Sequence, residues 1–397
     1  MMWSILYWTT VCLFFLMAIF LLYIPLPPEI ADRKKLQILE ILLRIGYEYP
    51  GDLIEYLFGP RIRNQYIRFL IAIGYIIPWP SPSHMKVTNE YIAGTRVRVY
   101  TPCDKRGRSA LVFIHGGGWA TMRAVDDCEA VVSDFWARFD IDRDQICIAG
   151  DSAGGNLAAV VVQRLSRRDE HFIKVESLNT VSKIPTSSTV VGSAVLNNNE
   201  RRPLRCQVLI YPVIHVFGFQ LPSYLAYYEK YNGTSLLNPR AMARWILLYL
   251  GLPANRRNVE RLIANQHISE KLKSSKEILT MVGHTVEHPK KSLKTNTNKG
   301  NQEEDILFET FSTKGINPDV SPLLGVRRDL PPAMVLTAEY DLLRDEGIQY
   351  VRKLQEEGVP CEWRHYKSAF HGICNMPYSL VRSDMSRDIC YYLKNFI

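Results

Sequence analysis

The sequence predicts an α/β fold with a mostly parallel sheet, preceded by an apolar N-terminal segment. Short, continuously apolar runs of the kind buried in parallel sheets recur along the chain, and helical patterns separate several of them. Glycine-rich turns directly follow two of these runs. With 397 residues, 47% of them hydrophobic and 22% charged, the chain can fill a large core. A disordered, collagen-like or disulfide-knot protein is excluded.

The N-terminal 28 residues contain no charged side chain and no histidine. From Trp3 to Tyr23 the run is almost unbroken, and prolines end it. A helix needs about 20 apolar residues to cross a bilayer, whereas a cleaved signal peptide has a basic leader and an apolar core of about 7–15 residues. Residues 1–28 are therefore predicted to be an uncleaved, single-pass anchor whose partner is a lipid membrane.

Two features disagree on the orientation of this anchor. Arg33, Lys34 and Lys35 follow the apolar run and none precedes it, which favours a cytosolic body by the positive-inside rule. The sequon at 232–234 favours a lumenal body, although such triplets often occur by chance.

The elements after the anchor can be assigned from periodicity. Residues 29–85 are predicted to be a helical cap or linker, because apolar residues recur at helical spacing from Leu36 to Tyr47 and a second apolar run is too short to span a membrane. Residues 86–397 are predicted to form the α/β domain, with strands at Val87 to Ile92, Arg96 to Tyr100, Ala110 to Ile114, Gln145 to Ala149, Gln207 to Tyr211, Ala333 to Thr337 and Cys361 to Tyr366.

Two polar segments interrupt this rhythm, residues 176–203 and residues 271–305, and both are predicted to be flexible insertions. Much of the net charge of +8 comes from the second one, since 271–299 contain seven lysines and two glutamates. A solvated loop explains this charge, so no nucleic-acid partner is predicted. The eight cysteines include no CxxC pair.

The first chemical motif is the G-x-S-x-G pattern at Gly150, Ser152 and Gly154. It lies between a predicted strand and a predicted helix, the context in which a serine occupies a sharp turn and exposes its hydroxyl at the sheet edge. Ser152 is therefore a candidate nucleophile. The second motif, His115-Gly116-Gly117-Gly118, also follows an apolar strand, and its glycines let backbone amides approach an oxyanion.

A serine nucleophile needs a base, and the base needs an orienting carboxylate. Asp341 follows one predicted strand and His371 follows the last one, so both are predicted at the edge that carries Ser152. Asp345 and Glu346 lie a turn inside the next helix and are predicted to be exposed or capping residues. The chain order serine, aspartate, histidine is that of α/β-hydrolases.

With these motifs the sequence resembles the hormone-sensitive lipase group of α/β-hydrolases, and within it the membrane-anchored arylacetamide deacetylase family. The matching pieces extend over most of the chain. They are the apolar span with Pro25-Leu26-Pro27, His115-Gly116-Gly117-Gly118-Trp119, Gly150-Asp151-Ser152-Ala153-Gly154-Gly155-Asn156, Leu209-Ile210-Tyr211-Pro212, Tyr340-Asp341-Leu342-Leu343-Arg344-Asp345 and Phe370-His371-Gly372.

The resemblance implies Ser152 as nucleophile, His371 as general base and Asp341 as its orienting carboxylate. It also implies an oxyanion hole formed by Gly116, Gly117 and the N–H of Ala153. Substrates would be carboxylic esters or arylacetamides, hydrolysed through an acyl-enzyme without a metal or organic cofactor. The family further implies an endoplasmic reticulum protein with a lumenal catalytic domain, and we give this more weight than the charges near the anchor.

The chain departs from this family between His115 and Ser152, where 37 positions leave room for one helix and no strand. One central strand is predicted to be missing, and its neighbours would keep unpaired backbone groups at about 1–3 kcal/mol each. The alternative to an active enzyme is therefore a catalytically impaired isoform that lacks an exon, or a non-catalytic ligand-binding protein on the same fold.

One rival motif is the H-x-x-E-H pattern at 284–288, which is typical of certain zinc proteases. That chemistry requires both histidines on one helical face, but Pro289 follows at once and the neighbourhood has no helical periodicity. We therefore predict no metal site.

Overall fold

The computed structural model describes residues 2–24, 26–76, 82–104, 107–119, 125–181, 204–230, 237–282 and 302–397. The side chains of some helical residues, including 18–22 and 168–181, are outside this description. The zinc-like pattern at 284–288, the sequon at 232–234 and most of the first predicted insertion also lie outside it.

The N-terminal quarter of the chain is helical. Helix α1 spans Met2–Leu22, and its described side chains are mostly apolar and exposed. In the described part of the chain, no helix has the length and hydropathy that a membrane crossing requires, and the anchor at 1–28 stays a prediction. The predicted cap or linker contains α2 (Arg33–Leu43), a π-helical turn (Arg44–Glu48), α3 (Tyr49–Phe58) and α4 (Pro60–Ile76).

The remaining strands form two sheets. Strands β1 (Met85–Ile92) and β2 (Thr95–Pro102) make an antiparallel pair. The second sheet is parallel and has the order β3-β4-β5-β6-β7 in the described residues. Its strands are β3 (Ala110–Ile114), β4 (Ile146–Asp151), β5 (Cys206–Ile210), β6 (Ala333–Tyr340) and β7 (Cys361–Phe370). All seven strands coincide with predicted ones, although β6 and β7 run several residues further than predicted.

Helices connect and cover the parallel sheet, as the alternating pattern predicts. Helix α5 joins β3 to β4, α6 joins β4 to β5, α13 joins β6 to β7, and α14 follows β7. Helices α7 to α12 lie in the long connection between β5 and β6. Their bounds are α5 (Val125–Phe139), α6 (Ala153–Val181), α7 (Pro222–Lys230), α8 (Pro239–Tyr249), α9 (Arg256–Ile263), α10 (Glu270–Lys273), α11 (Lys276–Val282), α12 (Gln302–Thr310), α13 (Arg344–Glu356) and α14 (Leu380–Leu393).

Both faces of the sheet are buried, because alternate residues of its strands belong to two separate cores. In β4, Ile146 and Ile148 face the core that contains α6 and α13. Cys147 and Ala149 face the opposite core, to which α14 and the segment after α1 contribute. This burial on both faces explains why β4, β5 and most of β6 consist mainly of apolar residues.

Strand β3 is the edge of this sheet in the described residues. It pairs with β4, while β1 and β2 form their own sheet. Leu111 is 39% exposed and Phe113 is 52% exposed, whereas every residue of β4 is buried. The shortened segment between His115 and Ser152 predicts such exposed apolar side chains on β3. The missing strand itself stays a prediction.

The two predicted insertions are partly helical. Helix α6 continues to Val181, so residues 176–181 are not a loop. Residues 271–282 form most of α10 and all of α11, and Ile278, Met281 and Val282 are buried in the core. The prediction of a flexible segment was wrong for 271–282, because the lysines that dominate its composition hide a few apolar side chains that face inward.

Glu346 was predicted to be exposed or capping, and it is fully buried instead. Its Oε2 accepts hydrogen bonds from the amides of Ile214 (2.9 Å) and His215 (3.3 Å), just beyond the end of β5. Burial raises the pKa of this carboxyl to about 8, and the two amides offset the effect only in part. Asp345 lies at the first turn of α13 and accepts from the amide of Ser223.

We expect truncation of a side chain to destabilise the fold more in the central strand β4 than in the edge strand β3. Ile148→Ala should lower the free energy of unfolding by about 2–4 kcal/mol, because it leaves a cavity in the closed core. Leu111→Ala on β3 should cost less than about 1 kcal/mol, because that side chain is already partly in water. Urea unfolding of both variants measures the difference, and equal losses would show that the open side of β3 is covered in solution.

We expect Glu346 to make stability depend on pH. Above the ordinary pKa of 4.5 and below about 8, the folded chain keeps a proton that the unfolded chain has released. The free energy of unfolding should therefore fall as pH rises through this window. Glu346→Gln lacks this titration, so urea unfolding at about pH 5 and about pH 8 should show a smaller loss in the variant than in the parent chain. Parallel losses would contradict the buried, protonated state.

Candidate active site

Ser152 lies at the sharp turn between β4 and α6. Its backbone has φ 57°, a left-handed conformation that few residues other than glycine adopt. The turn is tight enough that a Cβ on Gly150 would lie 2.3 Å from the carbonyl oxygen of Gly154, and one on Gly154 would lie 2.1 Å from that of Ile114. The two glycines of the motif are therefore required by packing.

The three residues predicted as nucleophile, base and orienting carboxylate form one hydrogen-bonded chain. Ser152 Oγ lies 2.9 Å from His371 Nε2, and His371 Nδ1 lies 2.8 Å from Asp341 Oδ2. All three residues are buried, and they follow β4, β7 and β6 at the carboxyl edge of the parallel sheet. In this geometry Nδ1 carries the proton that it donates to the carboxylate, and Nε2 accepts from the serine hydroxyl.

The imidazole of His371 is held on further sides. The second oxygen of Asp341, Oδ1, accepts from the amide of Leu343 at 2.9 Å, which fixes the carboxylate. The ring of Tyr211 packs against the imidazole with 4.8 Å between ring centroids. Burial raises the pKa of the Tyr211 phenol well above its ordinary value, so it stays neutral. Sequence reasoning did not assign a site role to Tyr211; its position directly after β5 was the available signal.

The glycine loop after β3 meets the serine turn through Asp151. The amide of Gly116 donates to Asp151 Oδ1 at 2.7 Å. A Cβ on Gly116 would lie 2.7 Å from Asp151 Oδ2 and 3.1 Å from Ser152 Cβ, so glycine is needed for this approach. Burial raises the pKa of Asp151, and the Gly116 amide opposes that shift.

This contact bears on the predicted oxyanion hole, which stays a prediction. The Gly116 amide was predicted to bind an oxyanion, but here it is engaged by Asp151. Gly117 follows in the same loop with φ 135°, and Ala153 is the first residue of α6. At the N-terminus of a helix the backbone N–H groups have no intrahelical partner. The described structure thus puts Gly117 and Ala153 at the ends of neighbouring strands.

The rest of the loop packs against helix α8. The Trp119 ring stacks on the Tyr249 ring at 4.4 Å, and a Cβ on Gly118 would lie 2.3 Å from the Trp245 ring. His115 is exposed, and its Nδ1 lies 2.7 Å from the carbonyl oxygen of Gly116. The conformation of the glycine loop therefore depends on the helices inserted between β5 and β6.

Those inserted helices are also joined to the N-terminal ones. Glu55 of α3 accepts from Arg244 of α8 at 2.7 Å and lies 3.2 Å from Arg63 of α4. Burial lowers the pKa of the Arg63 guanidinium, and the nearby Arg244 adds to the shift. The N-terminal helices and the helices between β5 and β6 thus share an ion-pair network, and each of its members holds the others in place.

A small pocket of about 30 Å³ borders His371 and Asp341. The segment after α1 contributes Leu26, Ile30 and Leu36 to its walls, and helix α7 contributes Tyr227. Neither Ser152 nor the glycine loop lines it, so it reaches the histidine and aspartate from the side away from the serine. Its walls are mostly apolar.

Comparisons with known proteins agree with this architecture. A family model described as alpha/beta hydrolase fold matches residues 120–286 and 292–375, a range that includes Ser152, Asp341 and His371. A hyperthermophilic esterase from the archaeon Pyrobaculum calidifontis is similar in fold, with a TM-score of 0.50 and 19% identity over 84% of this chain and 90% of that one.

Curated relatives match over nearly the whole chain. Neutral cholesterol ester hydrolase 1 of Rattus norvegicus is 28% identical over 400 aligned positions, which cover 88% of each chain. Arylacetamide deacetylase of Bos taurus is 27% identical over 402 positions, covering 88% of this chain and 89% of the relative. The resemblance inferred from the motifs is therefore confirmed, and the chain belongs to the α/β-hydrolase family.

Proposed function

We propose that this protein is a serine hydrolase that cleaves carboxylic esters or arylacetamides through an acyl-enzyme. The observation that carries the proposal is the hydrogen-bonded chain from Ser152 through His371 to Asp341 at a strand-to-helix turn. A serine hydroxyl is a weak nucleophile, and this arrangement supplies both the base that activates it and the carboxylate that orients the base.

In this proposal each step is carried by one of these residues. His371 Nε2 takes the Ser152 proton as Oγ attacks the substrate carbonyl, and Asp341 stabilises the imidazolium that forms. His371 then protonates the leaving alcohol or amine, and a water molecule, activated by the same imidazole, hydrolyses the acyl-enzyme. The amides of Gly116, Gly117 and Ala153 form the proposed oxyanion hole.

The substrate class rests on the named relatives. They are an ester hydrolase and a deacetylase, so both ester and amide bonds are candidates.

The alternative is a non-catalytic or impaired form on the same fold. The open side of β3 favours it, because the glycine loop that would bind the oxyanion begins at the end of this edge strand. An active site needs placement within about 0.5 Å, and a loosened edge strand would degrade it.

We also propose that α1 is a membrane anchor and that the body faces the lumen of the endoplasmic reticulum. The exposed apolar side chains of α1 and the absence of charge in residues 2–22 support insertion into lipid. The sequon at 232–234 and the resemblance to the deacetylase family support the lumenal orientation.

We expect Ser152→Ala and His371→Ala each to reduce hydrolysis of an aryl ester by roughly 10⁴-fold or more, and the double variant to lose little beyond that, because the residues act as a unit. The measurements are initial rates on p-nitrophenyl esters and an arylacetamide, with labelling by a fluorophosphonate probe. Ser166→Ala is the matched control, since Ser166 is buried further along the same helix. It should keep the rate and the label.

Two results would contradict the assignment. Labelling or turnover that survives in Ser152→Ala would place the nucleophile elsewhere. A parent chain that melts cooperatively but neither labels nor turns over would favour the non-catalytic alternative.

We expect the anchor to resist extraction of membranes with alkaline carbonate, and the double variant Leu13→Arg with Leu16→Arg to be released, because central arginines cost about 2.5–3.5 kcal/mol each. Digestion with a glycosidase should shift the parent chain and leave Asn232→Gln unchanged if the body is lumenal. Release of the parent chain would refute the anchor, and a glycosidase shift that persists in Asn232→Gln would show that the sequon is not the modified site.

A further inference from the structure

Two cysteines lie side by side at the centre of the parallel sheet. Cys147 of β4 and Cys206 of β5 are directly paired in the strand register. Both are fully buried, and their Sγ atoms are 3.0 Å apart. Both side chains point into the core beneath α14, where Met385 and Tyr392 belong to the same cluster.

The positions suit a disulfide bond. Neighbouring strands lie about 4.8 Å apart, within the range of about 4.4–6.8 Å between the Cα atoms of a disulfide. Closing the sulfur separation from 3.0 Å to a bond of about 2.0 Å requires small side-chain rotations and no movement of a strand. Cys361 does not compete, because it lies on β7, two strands away from β5.

The pair is also asymmetric in its acidity. The thiol of Cys206 donates to the sulfur of Cys147, which stabilises the Cys147 thiolate and lowers the pKa of that residue against the effect of burial.

We propose that Cys147 and Cys206 form a disulfide bond during folding that fastens β4, the strand preceding Ser152, to its neighbour β5. The Cys147 thiolate attacks a small-molecule disulfide such as oxidised glutathione, which forms a mixed disulfide and releases one thiolate. The Cys206 thiol, losing its proton to solvent, attacks Cys147 Sγ and expels the second thiolate. Two cysteine thiols are oxidised by two electrons, and the oxidant is reduced to two thiols.

The bond would form before α14 covers this face of the sheet, since both sulfurs are inaccessible in the folded chain. It closes a loop that contains the serine turn, helix α6 and residues 182–203. The serine turn is already joined to the end of β5 and the residues after it, because the Ser152 amide donates to the Ile210 carbonyl oxygen at 2.9 Å and the Val213 amide donates to that of Ser152 at 3.1 Å. The disulfide would join the same two strands near their N-terminal ends.

The test is a peptide map of the full chain after refolding with oxidised glutathione. Free thiols are blocked with N-ethylmaleimide before digestion. Trypsin cleaves after Arg143 and Arg205, so each cysteine falls in its own peptide, 144–164 and 206–230. We expect these two peptides to be joined by a bond that dithiothreitol breaks, and Cys361 and Cys128 to carry the blocking reagent.

Thermal unfolding gives the second measurement. The oxidised chain should melt roughly 5 °C or more above the reduced chain, because a disulfide constrains the unfolded state. This difference should disappear in Cys147→Ala and in Cys206→Ala and persist in the control Cys361→Ala.

The wild-type map decides the proposal even if the alanine variants unfold. Blocked thiols at both positions of the refolded, oxidised protein would overturn it, and so would a bond from either cysteine to a different one.

Discussion

The close approach of the first turn of α6 to the ends of β3 and β4 is the constraint on which the site depends. Gly150 and Gly154 permit it, since a side chain on either would collide with backbone at little more than 2 Å. The turn then forces Ser152 into a left-handed conformation that lifts its hydroxyl toward His371. Strain at one residue is tolerated because buried contacts on every side determine its position.

Polar groups buried at this edge of the sheet are satisfied by backbone amides more than by opposite charges. Asp151 binds the Gly116 amide, Asp341 the Leu343 amide, and Glu346 the amides of Ile214 and His215. Such hydrogen bonds fix the loops without placing flexible, positively charged side chains near Ser152. They tie the loop after β3 to the end of β4, and the residues after β5 to α13.

The sequence predicted those parts of the fold that depend on local pattern. Continuous apolar runs located the strands, and Ser152, Asp341 and His371 could be placed because each directly follows a strand. The role of the Gly116 amide was not predictable, since its acceptor is 35 positions further along the chain. The burial of Glu346 and of residues in α11 was also missed, because elements distant in sequence decide it. In α11 the composition of the segment also misled, since a few inward-facing apolar side chains are averaged with many outward-facing lysines.

The segment after α1 is part of the core and not a tether. Ile24, Leu26, Ile30 and Leu36 are buried against the same face of the sheet as α14. A flexible linker lets a domain move through a volume that grows with the length of the linker. Here α1 ends at Leu22 and the first buried core residue is Ile24, so the linker is very short. A constraint on α1 therefore also limits the tilt and rotation of the body, so the edge of the sheet that carries Ser152 is presented in a restricted set of directions.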